Sequence, residues 1–428
     1  MSSWPDIALG DVATLVRGIS YNTPDLADVG EGRPFITLKC FEKGGGFRLD
    51  GLKGFRSRAD ASYVVKPGDL LIANTDLTRE ASVVGVPAIV PQELYGSRPV
   101  ISMDVSLVRV ENTKADTRFI AHALALPRSR TFMKDNSAGS TVLHLKVGQV
   151  PRLQIPFPPR GVQARIAEVL DTADEAIWSA QRLIAKLEHA KDGLLHDLLT
   201  RGIHETGRLR HPKLDADQFS EGPLGLLPRS WRICDIGSMC SLVADCPHTT
   251  PIFRDEGTLV ARTTNIRDGR FILEGASYVD EQEYRERILR AEPQSGDLIF
   301  TREAPVGEAF VVPPWMRICL GQRVMLLRPA PKILDSVYML SQIYSGFVSA
   351  RISVLTAGTT NPHLNVSEVR KFLIPVPPIG EQQSIARIVS EFDAEINLRT
   401  DELRKFRLLR QGLMDDLLTG RVRVGASV

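Results

Sequence analysis

An α+β fold is predicted for this chain: two mixed sheet-and-helix domains, separated by a pair of long antiparallel coiled-coil helices and related by an internal pseudo-twofold repeat. Three observations predict it. The sequence repeats itself, short strand-like runs fill the first part of each repeat, and one long amphipathic stripe closes each.

The repeat comes first, because a missed period miscalls the architecture. Residues Ile155 to Thr200 align without gaps onto Ile374 to Thr419, a constant shift of 219 positions. Ile155/Ile374, Pro158/Pro377, Pro159/Pro378, Gln163/Gln382, Ile166/Ile385, Asp174/Asp393 and Gly193/Gly412 all match, and the closing Asp197 to Thr200 recurs as Asp416 to Thr419. Upstream, Ala138-Gly139 and His144-Leu145 meet Ala357-Gly358 and His363-Leu364 at the same shift. Further upstream the shift changes to 228, where Gly68-Asp69-Leu70 meets Gly296-Asp297-Leu298. That change implies insertions in loops, so the halves share a scaffold and diverge in their first parts.

Phe35 to Leu38, Leu70 to Ala73, Val105 to Val110, Leu298 to Thr301 and Val324 to Leu327 read as strands. Paired prolines, Pro158-Pro159 and Pro377-Pro378, cannot continue a ladder and set an abrupt start to the next element. In each half that element is a helix. Ile166, Leu170, Ala173, Ile177, Ala180, Ile184, Leu187, Leu194 and Leu198 form one stripe, and Ile385, Val389, Phe392, Ile396, Leu403, Phe406, Leu413 and Leu417 form the second, interrupted by Arg399. Rods of roughly 40 residues are about 60 Å long, and such a stripe wants a partner along its length. A surface helix on its own domain is the alternative, but helices of globular domains average only about 11 to 12 residues. The expected division is a mixed domain at 1–152, a long helix at 153–203, a linker and second mixed domain at 204–371, and a C-terminal long helix at 372–428.

Composition narrows the class. With 43% hydrophobic and 24% charged residues among 428, the chain is an ordinary folded protein rather than a disordered one. Neither a basic-then-apolar leader nor an apolar run of about 20 residues occurs, so no membrane association is expected and a cytoplasmic location is. Five cysteines without a CxxC pair argue against a disulfide framework. Cys234, Cys240, Cys246 and His248 are the zinc-type residues in proximity, but their gaps match structural zinc sites poorly, and no metal is expected. A net charge of +2 hides one basic stretch: between Arg33 and Lys66 stand eight basic residues and three acidic ones.

Catalytic motifs are incomplete wherever they are suggested. Asn361-Pro362-His363-Leu364 superficially resembles a methyltransferase turn, but its third and fourth residues are wrong and it falls in the repeated scaffold. Gly30-Glu31-Gly32 lacks the rest of a nucleotide-binding fingerprint, and no GxxxxGK[ST] loop occurs. His144 and His363 occupy equivalent repeat positions, which favours a structural hydrogen bond over a hydrolase centre. No catalysis and no cofactor are expected.

Variable domain, long helix, variable domain, long helix: over essentially the whole chain this order resembles the DNA-specificity subunits of type I restriction-modification systems. Leu224 to Trp231 resembles the entry into a target-recognition domain of that family, and Asp245-Cys246-Pro247-His248-Thr249-Thr250-Pro251 its D-x-x-H-x-x-P segment. The proline-led helix entry at Ile374 to Gln382 is similar too. The first half departs from the pattern, with Arg160-Gly161-Val162-Gln163 where the family often has Glu before Gln, and Gly18-Ile19-Ser20-Tyr21-Asn22 in place of the His248 segment. The resemblance implies a non-catalytic subunit that binds double-stranded DNA at a bipartite site. It implies two methyltransferase subunits as partners and, through that complex, restriction (motor-nuclease) subunits. S-adenosylmethionine and ATP would belong to those partners. A coiled-coil scaffold that organises proteins without reading DNA is the alternative the residues leave open.

Base edges are read by directional donors: Arg or Lys for guanine, Asn or Gln for adenine, Ser or Thr for either. Such residues at the ends of strand-like runs are the candidates, since loops on a rigid scaffold can enter a groove. In the first half they are Arg17, Tyr21, Lys39, Asn74, Thr75 and Arg79. In the second they are His248, Thr250, Arg262, Asn265, Arg302 and Arg323.

Overall fold

The computed structural model describes residues 4–78, 80–358 and 361–424. The chain divides into two compact units, Met1–Gln181 with Asp401–Val428, and Arg182–Thr400. Each therefore holds a mixed domain together with part of both long helices, Arg160–Thr200 and Ile379–Thr419, which have 41 residues apiece. No helix among the described residues is long and apolar enough to cross a membrane.

In the first unit β1 (Ala13–Arg17), β2 (Leu70–Ala73), β3 (Pro87–Ile89) and β4 (Val105–Val110) form an antiparallel sheet in the order β1-β4-β2-β3. All four residues of β2 are fully buried. Successive side chains of a strand point to opposite faces. Leu70 and Ile72 accordingly join a core with Phe119 and Ile166 of the helices, while Leu71 and Ala73 join a second core with Ile36 and Val86. A strand covered on both faces reads as a continuous apolar run, which is what Leu-Leu-Ile-Ala is.

The second unit repeats the design. Its strands β5 (Cys240–Asp245), β6 (Leu298–Thr301), β7 (Ala309–Val311) and β8 (Val324–Pro329) pair antiparallel in the order β5-β8-β6-β7, the same order as before. Leu298 and Phe300 pack toward Tyr338 and Ile385, and Ile299 packs the other way with Ile266 and Phe310.

A short helix in each unit connects sheet to rod: α1 (Thr117–Ala125) in the first and α2 (Ser336–Ile343) in the second. Asp116 and Asp335 cap them, each carboxylate accepting two N–H groups of the first turn. The backbone N–H of each cap residue donates to a glutamine of the adjacent long helix, Asp116 to Gln163 and Asp335 to Gln382, both at 2.9 Å. Each glutamine amide then donates to the proline segment, Gln163 to the Pro158 carbonyl and Gln382 to the Pro377 carbonyl, both at 2.8 Å. Both glutamines are 0% exposed.

The apolar stripes find the partners they require. In the first unit Ile166, Ala167 and Leu170 of the first long helix bury against the same core as Met414, Leu417 and Leu418 of the second. In the second unit Leu198 and Leu199 of the first helix meet Ile385 and Val389 of the second. The start of one helix lies with the end of the other in both units, so the pairing is antiparallel. Full burial of one such aliphatic chain contributes about 1.5–3 kcal/mol. Ion pairs mark the same register. Asp174 accepts from Arg410 in the first unit, and Asp393 accepts from Lys191 at 2.8 Å in the second. Asp174 and Asp393 are equivalent across the repeat, as are Lys191 and Arg410. Arg399, the interruption in the stripe, lies half-buried and pairs with Glu395 at 2.7 Å.

The departure at the first helix entry also has a structural reason. Glu381 is bound by Arg210, by the N–H of Ile203 at 2.9 Å and by Trp231 Nε1 at 3.3 Å, all from the linker that enters the second mixed domain. At the equivalent position stands Val162, half-buried against the first unit's apolar core. A carboxylate packed against that core would lose hydration without gaining a partner.

Gln382→Leu is expected to lower unfolding stability by about 2–4 kcal/mol, because it strands the Asp335 N–H and the Pro377 carbonyl in a buried setting. Urea denaturation checks this, and Gln163→Leu is expected to behave alike. Charge reversal tests the helix register. Asp174→Arg alone is expected to destabilise, and adding Arg410→Asp to recover up to about 1 kcal/mol, the worth of a partly exposed pair. Thermal melting of the two single variants and the double variant reads the coupling.

Candidate nucleic-acid interface

Four of the first half's candidates, Arg17, Tyr21, Asn74 and Thr75, converge on one sheet corner. β1 ends at Arg17, β2 at Ala73, and β4 begins at Val105, so the turn at Met103–Asp104 lies among all three. Arg17 is exposed and its Nε donates to the Met103 carbonyl at 3.0 Å. Asn74 Nδ2 donates to the same carbonyl at 3.0 Å, and Asn74 Oδ1 accepts from Ser106 at 2.9 Å. Thr75 Oγ1 donates to Asp104 at 3.3 Å. Tyr21 stands edge-on to Phe35, with ring centroids 5.0 Å apart; partial burial and the Asp104 carboxylate push its phenol above the ordinary value. Lys39 is exposed on the turn Leu38–Cys40, capped by Thr37. Gly18 lets β1 pass this corner, since a Cβ there would sit 2.2 Å from the Ser102 carbonyl oxygen. Arg79 lies outside the described residues.

Asn74 and Thr75 are only 2% and 3% exposed, so their side chains brace the corner rather than face solvent. Asp76, next along, is buried and accepts from the backbone N–H groups of Thr78, Val83 and Val84. Burial pushes its carboxyl up, but those N–H groups and the Thr78 hydroxyl outweigh it and hold the group below the usual carboxylate range.

In the second half Arg302 and Arg323 sit at the equivalent corner, His248 and Thr250 join it through Asp245 and Gln322, and Arg262 and Asn265 are bonded elsewhere. Arg302 follows β6 as Asn74 follows β2, and its N–H donates to the Arg323 carbonyl just as that of Asn74 donates to Asp104. Leu364 and Leu145, equivalent residues, donate to the Arg302 and Asn74 carbonyls respectively. The Arg302 guanidinium is buried, 2.8 Å from Asp245 and 3.2 Å from the Leu364 carbonyl. Asp245 also lies 3.3 Å from the exposed His248 imidazole. Arg323 is exposed, in a left-handed backbone with φ 73°, and 3.0 Å from Glu303. Thr250 is exposed and donates to Gln322 at 3.2 Å. Arg262 is half-buried, bonded to Ser277 and stacked over Phe253 at 4.9 Å. Asn265 is 3% exposed, its amide held by the Ile272 carbonyl.

Residues not singled out from sequence also build these corners. Gln322 binds both Thr250 and the His248 carbonyl, Glu303 lies between Arg323 and His363, and Asp104 holds Thr75. A signal for them existed. The shift of 219 that matches β4 to β8 also matches Met103-Asp104 to Gln322-Arg323, the turn at the heart of each corner. Of the zinc-type residues, Cys246 is buried and Cys234 and Cys240 half-buried, with burial pushing the Cys240 thiol up to about 12. Among the described residues no group of three or more His, Cys, Asp or Glu is placed to hold a metal. His144 is exposed, whereas His363 lies 3.6 Å from Glu303.

The family model described as "Type I restriction modification DNA specificity domain" matches the chain twice, over residues 1–189 and 229–405. The type I restriction enzyme MjaVIII specificity subunit of Methanocaldococcus jannaschii is 22% identical over 334 residues, covering 77% of this chain and 76% of its own. The EcoBI specificity subunit of Escherichia coli is 21% identical over 403 residues, covering 92% and 80%. A solved S subunit of the type I restriction-modification system from M. genitalium shares the fold at a TM-score of 0.64 and 14% identity, covering 97% of this chain and 96% of its own. Two copies of one domain model, on two copies of one sheet, make this chain a member of the type I restriction-modification DNA-specificity family.

Proposed function

We propose that the chain reads a bipartite DNA site, one half-site through the mixed domain at 1–152 and the other through that at 204–371, and performs no chemistry itself. One observation carries this reading. The same sheet, with the same strand order, presents the same corner twice with different polar residues on it. A repeated scaffold with divergent tips is what reading two unlike half-sites requires.

Among the candidates the side chains divide by exposure. Arg17, Lys39, His248, Thr250 and Arg323 face solvent and would touch bases or phosphates, with Tyr21 and Arg262 beside them and Arg79 assigned the same role. Asn74, Thr75, Asn265 and Arg302 are engaged internally and hold the turns that carry those contacts. The long helices, continuous through 41 residues, would set the unread spacer and seat two methyltransferase subunits, with restriction subunits joining through them. S-adenosylmethionine and ATP would act in those partners. The relatives' names, specificity subunits of type I restriction enzymes, support this assignment of labour.

Replacing residues 1–152 with the corresponding domain of a relative is expected to change one half-site and leave the other and the spacer intact. Methylome mapping of cells carrying the hybrid with its methyltransferase reads both; a change in both half-sites together, or a continuous native motif, defeats the proposal. The Asp76 carboxylate predicts a pH effect. A folded-state value below the unfolded one contributes stability above the unfolded value of about 3.9, lost as pH falls through the folded value. Asp76→Asn is therefore expected to cost about 1–3 kcal/mol at neutral pH. Parallel denaturation of both proteins should show that gap narrowing below about pH 4.

A further inference from the structure

At the opposite end of the first unit's sheet, where β2 begins and β4 ends, lies a cleft of about 1020 Å³. Its floor includes Leu70, Leu94 and Leu107, and its walls carry Lys66, Arg98 and Arg109. Among the described residues none of these three cations has a carboxylate partner. The one carboxylate lining the cleft, Asp69, accepts the backbone N–H of Lys66 at 2.8 Å. Tyr95 stands at the cleft 79% exposed.

The internal repeat supplies a control. Arg328 and Asp297 are the equivalents of Arg109 and Asp69 in the second unit. There the guanidinium binds the carboxylate through two bonds, at 2.8 and 2.7 Å, while Asp297 also takes the N–H of Gln294. Asp69 retains only the backbone bond, and Arg109 is left exposed in the cleft.

The loop bearing Arg98 is built as well. Arg98 has a left-handed backbone, φ 50°, which costs free energy for a residue with a Cβ and persists only where neighbours enforce it. Arg33 enforces it, donating Nε and Nη2 to the Arg98 carbonyl at 3.0 and 2.9 Å, and Ser97 ties back to the Leu94 carbonyl at 2.7 Å. Two guanidinium groups are thereby held near each other without an intervening carboxylate, and burial and the Arg98 charge together hold the Arg33 group below its ordinary value. This cluster draws on the ends of the basic stretch from Arg33 to Lys66 and lies away from the sheet corner assigned to DNA.

We infer that this cleft is a binding site for a nucleoside phosphate, its phosphates held by Lys66, Arg98 and Arg109 and its base laid against Tyr95. Guanidinium groups match phosphate oxygens in a planar fork, and an exposed aromatic ring offers a stacking face to any base. A concave, apolar-floored cleft of this volume suits a small ligand, whereas a duplex backbone needs an open track.

Isothermal titration calorimetry on the full chain, with ATP, inorganic phosphate and a short DNA duplex as separate titrants, tests this. ATP is expected to bind at one site, and Arg98→Gln or Arg109→Gln to weaken it about tenfold or more, as for loss of a charge-assisted contact. Tyr95→Ala is expected to weaken ATP while leaving inorganic phosphate unchanged, and Arg98→Gln to leave duplex affinity unchanged. Melting temperatures of these surface variants confirm that each is folded. The inference is overturned if ATP gives no saturable heat up to millimolar concentration or binds the variants as it binds the parent. It is equally overturned if duplex affinity falls in step with that for ATP, which would make the cleft part of a DNA track.

Discussion

One buried glutamine amide holds each mixed domain to its rod. Gln163 and Gln382 each accept the N–H of a helix-capping aspartate and donate to a proline-segment carbonyl, with no exposure to water. Both ends of the amide are needed, since a buried donor or acceptor without a partner costs about 1–3 kcal/mol. The geometry of that one side chain therefore sets how α1 or α2 meets the start of a long helix. Everything outward of it, the double-faced sheet and the corner at its far end, inherits that placement.

Helix pairing obeys a second constraint, that of burying two apolar stripes in one register. Asp174 with Arg410, and Asp393 with Lys191, are the same pair made in each unit by exchanging which helix supplies the acid. Partly exposed pairs of this kind add little energy, but a slip of one turn would separate Asp174 from Arg410 and Asp393 from Lys191. Aliphatic burial holds the helices, and charge selects how they align.

Duplication left the sheets alike and let their ends diverge. The turn at Met103–Asp104 and its equivalent at Gln322–Arg323 take the same backbone bonds, yet one offers an aspartate and the other an exposed arginine. Arg328 closes on Asp297 while Arg109 stays free of Asp69. Backbone hydrogen bonding constrains the scaffold strongly, whereas solvent-facing side chains at strand ends are constrained weakly. Such ends are where differences between halves can accumulate without loss of fold.

Period and pattern alone determined the duplication, the all-apolar central strands, the proline-led starts of the helices and their need of a partner, because each follows from local periodicity that burial enforces. The equivalent places of the helices in the duplicated chain pointed to an antiparallel pair. The sequence also placed the candidates at strand ends. It did not separate those facing solvent from those bonded inward: Asn74 and Arg302 have the chemistry of base readers yet lie buried under the Met103 and Leu364 carbonyls that they bind. Nor did it reveal why Gln163 and Gln382 recur, or why Glu381 has Val162 as its equivalent. Those answers depend on which backbone groups arrive from segments 47 to 178 residues away, and only tertiary structure brings such groups together.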